Sequence, residues 1–191
     1  SPFQVSAKVR KAASSAIERR GSLVCGAERM NRAAALGSRS SNARASGDWG
    51  PLVDSIPFAR FLNMRIDIQD DAFRCVLPYH PKLIGNPLVP ALHGGSIGGF
   101  LECTGMFYLL WHMESTELPK IVNFSFDFLR SGRPQDVHAS VIMVKQGQRV
   151  AHLRIEAWQS SADKPIATGH GNFMLRPAVA TAGTGLPNSA A

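Results

Sequence analysis

The sequence predicts an α+β fold in which one antiparallel β-sheet wraps a single long helix. Three features predict it. Only one extended apolar segment, centred on residues 97–113, has helical length. After Pro119 the hydrophobic period changes from helical to two, as in Asn123-Phe124-Ser125-Phe126-Asp127-Phe128. The strands then follow one another with no helix between them, which excludes a doubly wound parallel sheet.

In order along the chain, residues 1–50 are rich in Ala, Ser, Arg and Gly and lack a hydrophobic repeat, so they are expected to form a disordered leader. Their Arg- and Ser-rich, acid-poor character also fits an organelle transit segment. Ile56 to Leu62 is predicted as a short helix, with Ser55 as N-cap, Pro57 in the first turn, and Ile56, Phe58, Ala59, Phe61 and Leu62 available for burial. Asn63 to Leu77 is predicted as two strands joined at Gln69-Asp70-Asp71. His80 to Leu92, punctuated by Pro81, Gly85, Pro87 and Pro90, is predicted as a loop. The long helix covers about residues 94–113. Strands at about 136–145, 149–159 and 165–175 follow the one at 123–128, and residues 177–191 are expected to form a disordered tail. The folded domain is placed at 51–176.

Charge narrows the function. The net charge of +7 divides into nine Lys/Arg against three Asp/Glu in residues 1–50 (+6), and twelve against eleven in residues 51–191 (+1). The domain therefore lacks the basic face of a nucleic-acid-binding module, and no nucleic acid is expected as partner. Cys25, Cys75 and Cys103 are odd in number and lack a CxxC spacing, which points away from a disulfide framework or zinc site and towards a reducing compartment. No metal or redox cofactor is expected. Glu102 and several glycines interrupt the longest apolar run, so no membrane span is expected. The location expected is cytoplasmic, or mitochondrial if the leader is a transit segment.

The chemistry concentrates in His93-Gly94-Gly95-Ser96-Ile97-Gly98-Gly99-Phe100-Leu101-Glu102. Each of Gly94, Gly95, Gly98 and Gly99 forfeits about 1 kcal/mol relative to Ala inside a helix, so something must approach this backbone closely. That something is either a packed neighbour or a ligand held by the free N–H groups of the helix start. Glu102 is the only Asp, Glu, Lys or Arg between His93 and Met113. A carboxylate in such an apolar stretch is paired, solvated in a cleft, or catalytic.

This segment resembles the hotdog-fold acyl-CoA thioesterases, in particular the PaaI-like and 4-hydroxybenzoyl-CoA thioesterase groups. There a His-Gly-Gly opens the central helix and an acidic residue lies nine positions after the His, as Glu102 lies after His93. Phe128-Leu129-Arg130-Ser131-Gly132 and Gly147-Gln148-Arg149 are similar to later family motifs, and the likeness spans about residues 52–176. It implies a hotdog fold and hydrolysis of an acyl-CoA thioester. The Gly94 N–H, with Gly95 beside it, would face the substrate carbonyl. Glu102 would act as general base or nucleophile, and His93 would fix the loop. The family's Asn or Gln six residues before the His is replaced here by Pro87, and Asn86 lies seven before. The resemblance further implies Arg130, Arg133 and Arg149 near the CoA phosphates. It also implies an active site shared between subunits of a homodimer or homotetramer, where Asn123 would reach the partner's carboxylate.

Three rivals stand beside this reading. Gly94-Gly95-Ser96-Ile97-Gly98 fits the G-x-S-x-G pattern of a serine esterase, which demands a strand, a sharp turn and then a helix. Ile84 to Pro90 resembles a loop of the hotdog dehydratases, but that alignment puts Lys82 and Ser96 where the catalytic pair belongs. The third is a hotdog module that binds acyl-CoA without turnover.

Overall fold

The computed structural model describes residue 31, residues 34–113 and residues 118–175. Three helices open this part: α1 (34–46), α2 (Gly50–Ser55) and α3 (Pro57–Phe61). The hairpin β1 (Arg65–Gln69) and β2 (Ala72–Leu77) follows, then a short ribbon of β3 (Ile84–Asn86) and β4 (Ala91–Leu92). The long helix α4 (Gly94–His112) leads into β5 (Lys120–Phe128), β6 (Val137–Gln146), β7 (Val150–Trp158) and β8 (Ala167–Met174). Six strands form one antiparallel sheet in the order β1-β2-β6-β7-β8-β5, so β5 ends the sheet.

Packing follows from pattern. On β7 every second residue (Ala151, Leu153, Ile155, Ala157) is buried, as are Ala167 and Phe173 on β8 and Val137 and Ala139 on β6. These side chains face α4, which packs against β2, β5, β6, β7 and β8. The helix itself has apolar residues on all sides, among them fully buried Phe100, Leu101, Phe107, Leu109 and Leu110, as a helix enclosed by its sheet requires. Phe107, Tyr108 and Trp111, expected in a core or interface, all join this core. At the β1–β2 turn Asp70 and Asp71 have φ of 49° and 60°, the left-handed pair of a tight two-residue hairpin.

Three expectations need correction. Residues 34–46 of the leader are helical and packed. Gly37, Ser40 and Ala43, three residues apart, are buried, and Gly47 at φ 75° closes the helix. Small residues gave no hydrophobic repeat in the sequence, yet they are what lets α1 approach closely. Residues 1–30, and with them Cys25, lie outside the described residues, as do 176–191. Second, Ser55 caps nothing: its hydroxyl donates to the Leu52 carbonyl and closes α2. Ile56, held extended (φ −100°, ψ 107°) by the proline after it, takes the N-cap place of α3. Phe58 and Phe61 are 46% and 53% exposed, while Ala59 and Leu62 are buried. Third, the expected loop at 80–92 contains the β3–β4 ribbon.

The α1 helix also serves α4. The Arg44 guanidinium donates to the Leu110 carbonyl at 2.8 Å and to the Ser40 hydroxyl at 2.8 Å, satisfying a backbone acceptor in the last turn of α4, where a cation also suits the helix dipole. Arg44→Ala is expected to destabilise the fold by about 1.5–3 kcal/mol, the range for hydrogen bonds to a charged group. Denaturant unfolding measures this. An unchanged midpoint would mean that α1 does not anchor α4.

Candidate active site

A groove of about 510 Å³ lies along the first turns of α4, lined by His93, Gly94, Gly95, Gly98, Gly99 and Glu102, with Phe58 from α3 and Phe126 and Phe128 from β5. The ribbon sets its upper end. His93 donates its N–H to the Leu83 carbonyl at 2.7 Å, and Gly85 lies so close that a Cβ there would sit 2.8 Å from the His93 Cα. Only glycine fits at that crossing, and the contact fixes His93 as the N-cap of α4.

As N-cap, His93 accounts for most of the free donors at the start of the helix. Its Nδ1 accepts the Gly95 N–H at 3.0 Å, and its carbonyl accepts from Ser96 and Ile97. Among the described residues no acceptor faces the Gly94 N–H. One backbone donor at the positive end of a 19-residue helix, on a residue that lines the groove, is thus unengaged among the described residues.

Glu102 lies at the other end of this glycine track. Side chains on a helix lean towards its N-terminus, over the residues three and four positions earlier, which here are Gly99 and Gly98. The Glu102 side chain lines the same groove as these glycines. It is half-buried, and among the described residues no cation or hydrogen-bond donor faces it. Burial holds its pKa above the ordinary 4.5. Cys103 beside it is pushed up to about 12, first by burial and then by the Glu102 charge, so its thiol is not the reactive thiolate that cysteine hydrolases need.

The glycines have distinct neighbours. A Cβ on Gly94 would meet Phe128 at 3.3 Å, one on Gly98 would meet Phe126 at 3.2 Å, and one on Gly99 would fall on the Phe58 ring. Packed phenylalanines therefore account for the close approach at three of the four, while Gly94 also presents its N–H. Further along, a Cβ on Gly105 would lie 2.8 Å from Phe173 and 3.1 Å from Ile155, both fully buried. The same change should therefore act differently at two places on one helix. Gly105→Ala is expected to destabilise by about 1–2 kcal/mol, overpacking strain outweighing the gain in helix propensity. Gly99→Ala should cost less, because half-exposed Phe58 can shift outward at the expense of its stacking on Phe61. Equal losses in urea titrations of the two variants would show that Phe58 is as rigid as the core.

Of the residues singled out from sequence, His93, Gly94, Gly95 and Glu102 come together in the groove. Asn86, Asn123, Arg130, Arg133 and Arg149 do not line it in the single chain. The Asn86 side chain accepts the Leu88 N–H and shapes the ribbon turn. Asn123 accepts from Asn172, which in turn meets His152 across the sheet. Arg130 donates to the Pro165 carbonyl at 2.6 Å, while Arg133 and Arg149 are exposed on turns. Ser96 is the third residue inside α4 and does not line the groove, so the sharp turn of a serine-esterase nucleophile is absent. Lys82, the dehydratase position, donates to the Phe61 carbonyl. Sequence reasoning missed Phe58 as a groove residue. Phe126 and Phe128 were visible as one face of a strand, but nothing local assigned that face to a site.

Comparison with known proteins agrees with this fold. A model of the acyl-CoA thioesterase N-terminal domain matches residues 91–174, which begin just before His93 and end with β8. A protein of known structure from Chromobacterium violaceum is 40% identical, with a TM-score of 0.62 over 73% of this chain and 97% of that one. More distant likenesses include a phenylacetic acid degradation-related protein of Ralstonia eutropha (19% identity, TM-score 0.56, 62% of this chain and 89% of that one). A thioesterase enzyme of Staphylococcus aureus is similar at 18% identity and TM-score 0.54, over 64% of this chain and all of that one. No curated protein matches.

Proposed function

Because the chain belongs to the hotdog-fold thioesterase superfamily, we propose that it hydrolyses an acyl-CoA thioester in the groove along α4, with Glu102 and the Gly94 N–H as its working groups. The observation that carries the proposal is the pairing of one unengaged backbone donor with one unpaired, half-buried carboxylate on a single helix face. The thioester oxygen accepts the Gly94 N–H, which polarises the carbonyl and stabilises the oxyanion that forms. Glu102 takes a proton from water as the water oxygen attacks the carbonyl carbon. Collapse of the tetrahedral intermediate breaks the C–S bond, and the thiolate of CoA leaves and is protonated. His93 holds the helix start in register, and Arg133, Arg149 and Arg130, exposed on the surface, are the cations proposed for the CoA phosphates.

A homodimer, or a dimer of dimers, completes this reading. Support comes from β5, which ends the sheet beside the groove and exposes Ile121, Val122 and Phe128, with exposed Leu129 directly after it. Asn123 lies on that strand, and Asn86 is within the ribbon above the groove; both are the residues by which a partner would complete the site. Sedimentation of a pure monomer would remove the shared site.

The direct test is thiol release from a panel of acyl-CoA esters by the whole chain. Hydrolysis establishes the enzyme. Tight binding of the esters with no thiol release would make this a binding module, the second reading, which the absence of Asn86 from the single-chain groove favours.

A further inference from the structure

The groove's most unusual wall is Phe58. It belongs to a five-residue helix whose own buried residue is Ala59, and at 46% exposure it contributes little to the core. Its ring nevertheless lies directly on the α4 backbone at Gly99, three residues before Glu102 on the same helix face. One ring stacks on it, and that ring is itself held by a cation. Phe61 stacks against it with centroids 6.2 Å apart and planes 15° from parallel, and the Lys82 ammonium sits 4.4 Å over the Phe61 ring while donating to the Phe61 carbonyl at 2.6 Å. Opposite, Phe126 and Phe128 close the groove from β5. An exposed aromatic ring that is clamped in place and faces a groove is a surface waiting for an apolar ligand.

Charge sharpens the class of ligand. Glu102 is the only charged side chain among the lining residues, with no lysine or arginine there, and the nearest clamp cation, Lys82, is engaged by Phe61. A carboxylate carried on the acyl group would meet Glu102 in an apolar setting with nothing to neutralise it.

Resting on the hydrolase reading above, we infer that Phe58 is a specificity-determining wall, against which an uncharged apolar acyl group lies while its carbonyl is held between Gly94 and Glu102. The Phe61–Lys82 clamp is a positioning device for that wall.

The experiment compares the whole wild-type chain with Phe58→Ala and Phe58→Leu, measuring kcat/KM for the acetyl, butanoyl, octanoyl, benzoyl and succinyl esters of CoA, with melting temperatures as a check on folding. In the wild type, the butanoyl and benzoyl esters are expected to exceed the succinyl ester by at least about tenfold. In Phe58→Ala, the preference for benzoyl over acetyl is expected to fall by about tenfold, mainly through KM, the order that one hydrophobic wall contributes to discrimination. Phe58→Leu should fall between the two. A variant profile parallel to that of the wild type would overturn the assignment of Phe58, and so would succinyl turnover equal to butanoyl turnover. Absence of thiol release from every ester by the wild type would instead overturn the hydrolase reading, and this inference with it.

Discussion

Glu102→Gln is expected to lower kcat for thioester hydrolysis by about 10²–10⁴, the range for loss of a general base. The substitution keeps the shape of the side chain and removes only its ability to take a proton. Because burial holds the Glu102 pKa above 4.5, wild-type kcat/KM should rise with pH as that carboxyl ionises, beginning at higher pH than an ordinary glutamate would allow. The variant should show no such limb. Wild-type turnover by Glu102→Gln would end the proposal and reopen the search for a nucleophile.

The same burial predicts a stability effect of opposite sign. A carboxyl whose folded pKa is raised holds its proton more tightly in the folded state than in the unfolded one. Its contribution to stability is intact below about 4.5, the unfolded value, and is lost as pH rises through the folded value. Glutamine is neutral throughout, so Glu102→Gln should melt above the wild type at pH 7, with the gap closing as pH falls towards 4. A gap independent of pH would mean that the two side chains differ in packing and not in charge. A gain in stability when such a group is neutralised is what a function held against folding preference looks like.

How much of this was legible in the sequence depends on the range of the interaction. The α4 helix and β5 to β8 follow from local period, since an enclosed helix must be apolar on every face and a half-buried strand must alternate. Glu102 stood out because α4 has no other charged residue, and the start of the helix because its glycines contradict helix propensity. What stayed hidden depends on distant partners. The α1 helix buries small residues, Gly37, Ser40 and Ala43, whose spacing becomes a pattern only in the folded structure. Phe58 looked like one more core residue, because its place on Gly99 is set by how α3 docks, 41 positions away in the chain. Asn86 matched a family role approximately, yet its side chain is engaged in its own turn. The glycine track itself has two meanings at once, packing at Gly98 and Gly99 and an unengaged donor at Gly94, and composition cannot separate them.

Substitution at Gly94 can separate them. Gly94→Pro removes the backbone N–H, whereas Gly94→Ala retains it, and the fold accommodates both. Gly94 is the first residue of α4, where a proline lacks only a donor that has no intrahelical partner. His93 before it already has φ −66° and ψ 128°, the extended conformation that a residue preceding proline adopts. The Cβ that both variants add meets Phe128 at 3.3 Å, and that ring is 55% exposed and free to give way. The two proteins should therefore share their helix content and melting temperature closely, and differ in one hydrogen bond to the transition state. Gly94→Pro is expected to lose about 10²–10³ in kcat, as removal of an oxyanion donor does elsewhere, while Gly94→Ala loses far less. If the proline variant turned over thioester as fast as the alanine variant, the oxyanion would have to be held by another group. The unengaged N–H at the head of α4 would then be a consequence of how His93 caps the helix, and not the reason the helix begins with glycine.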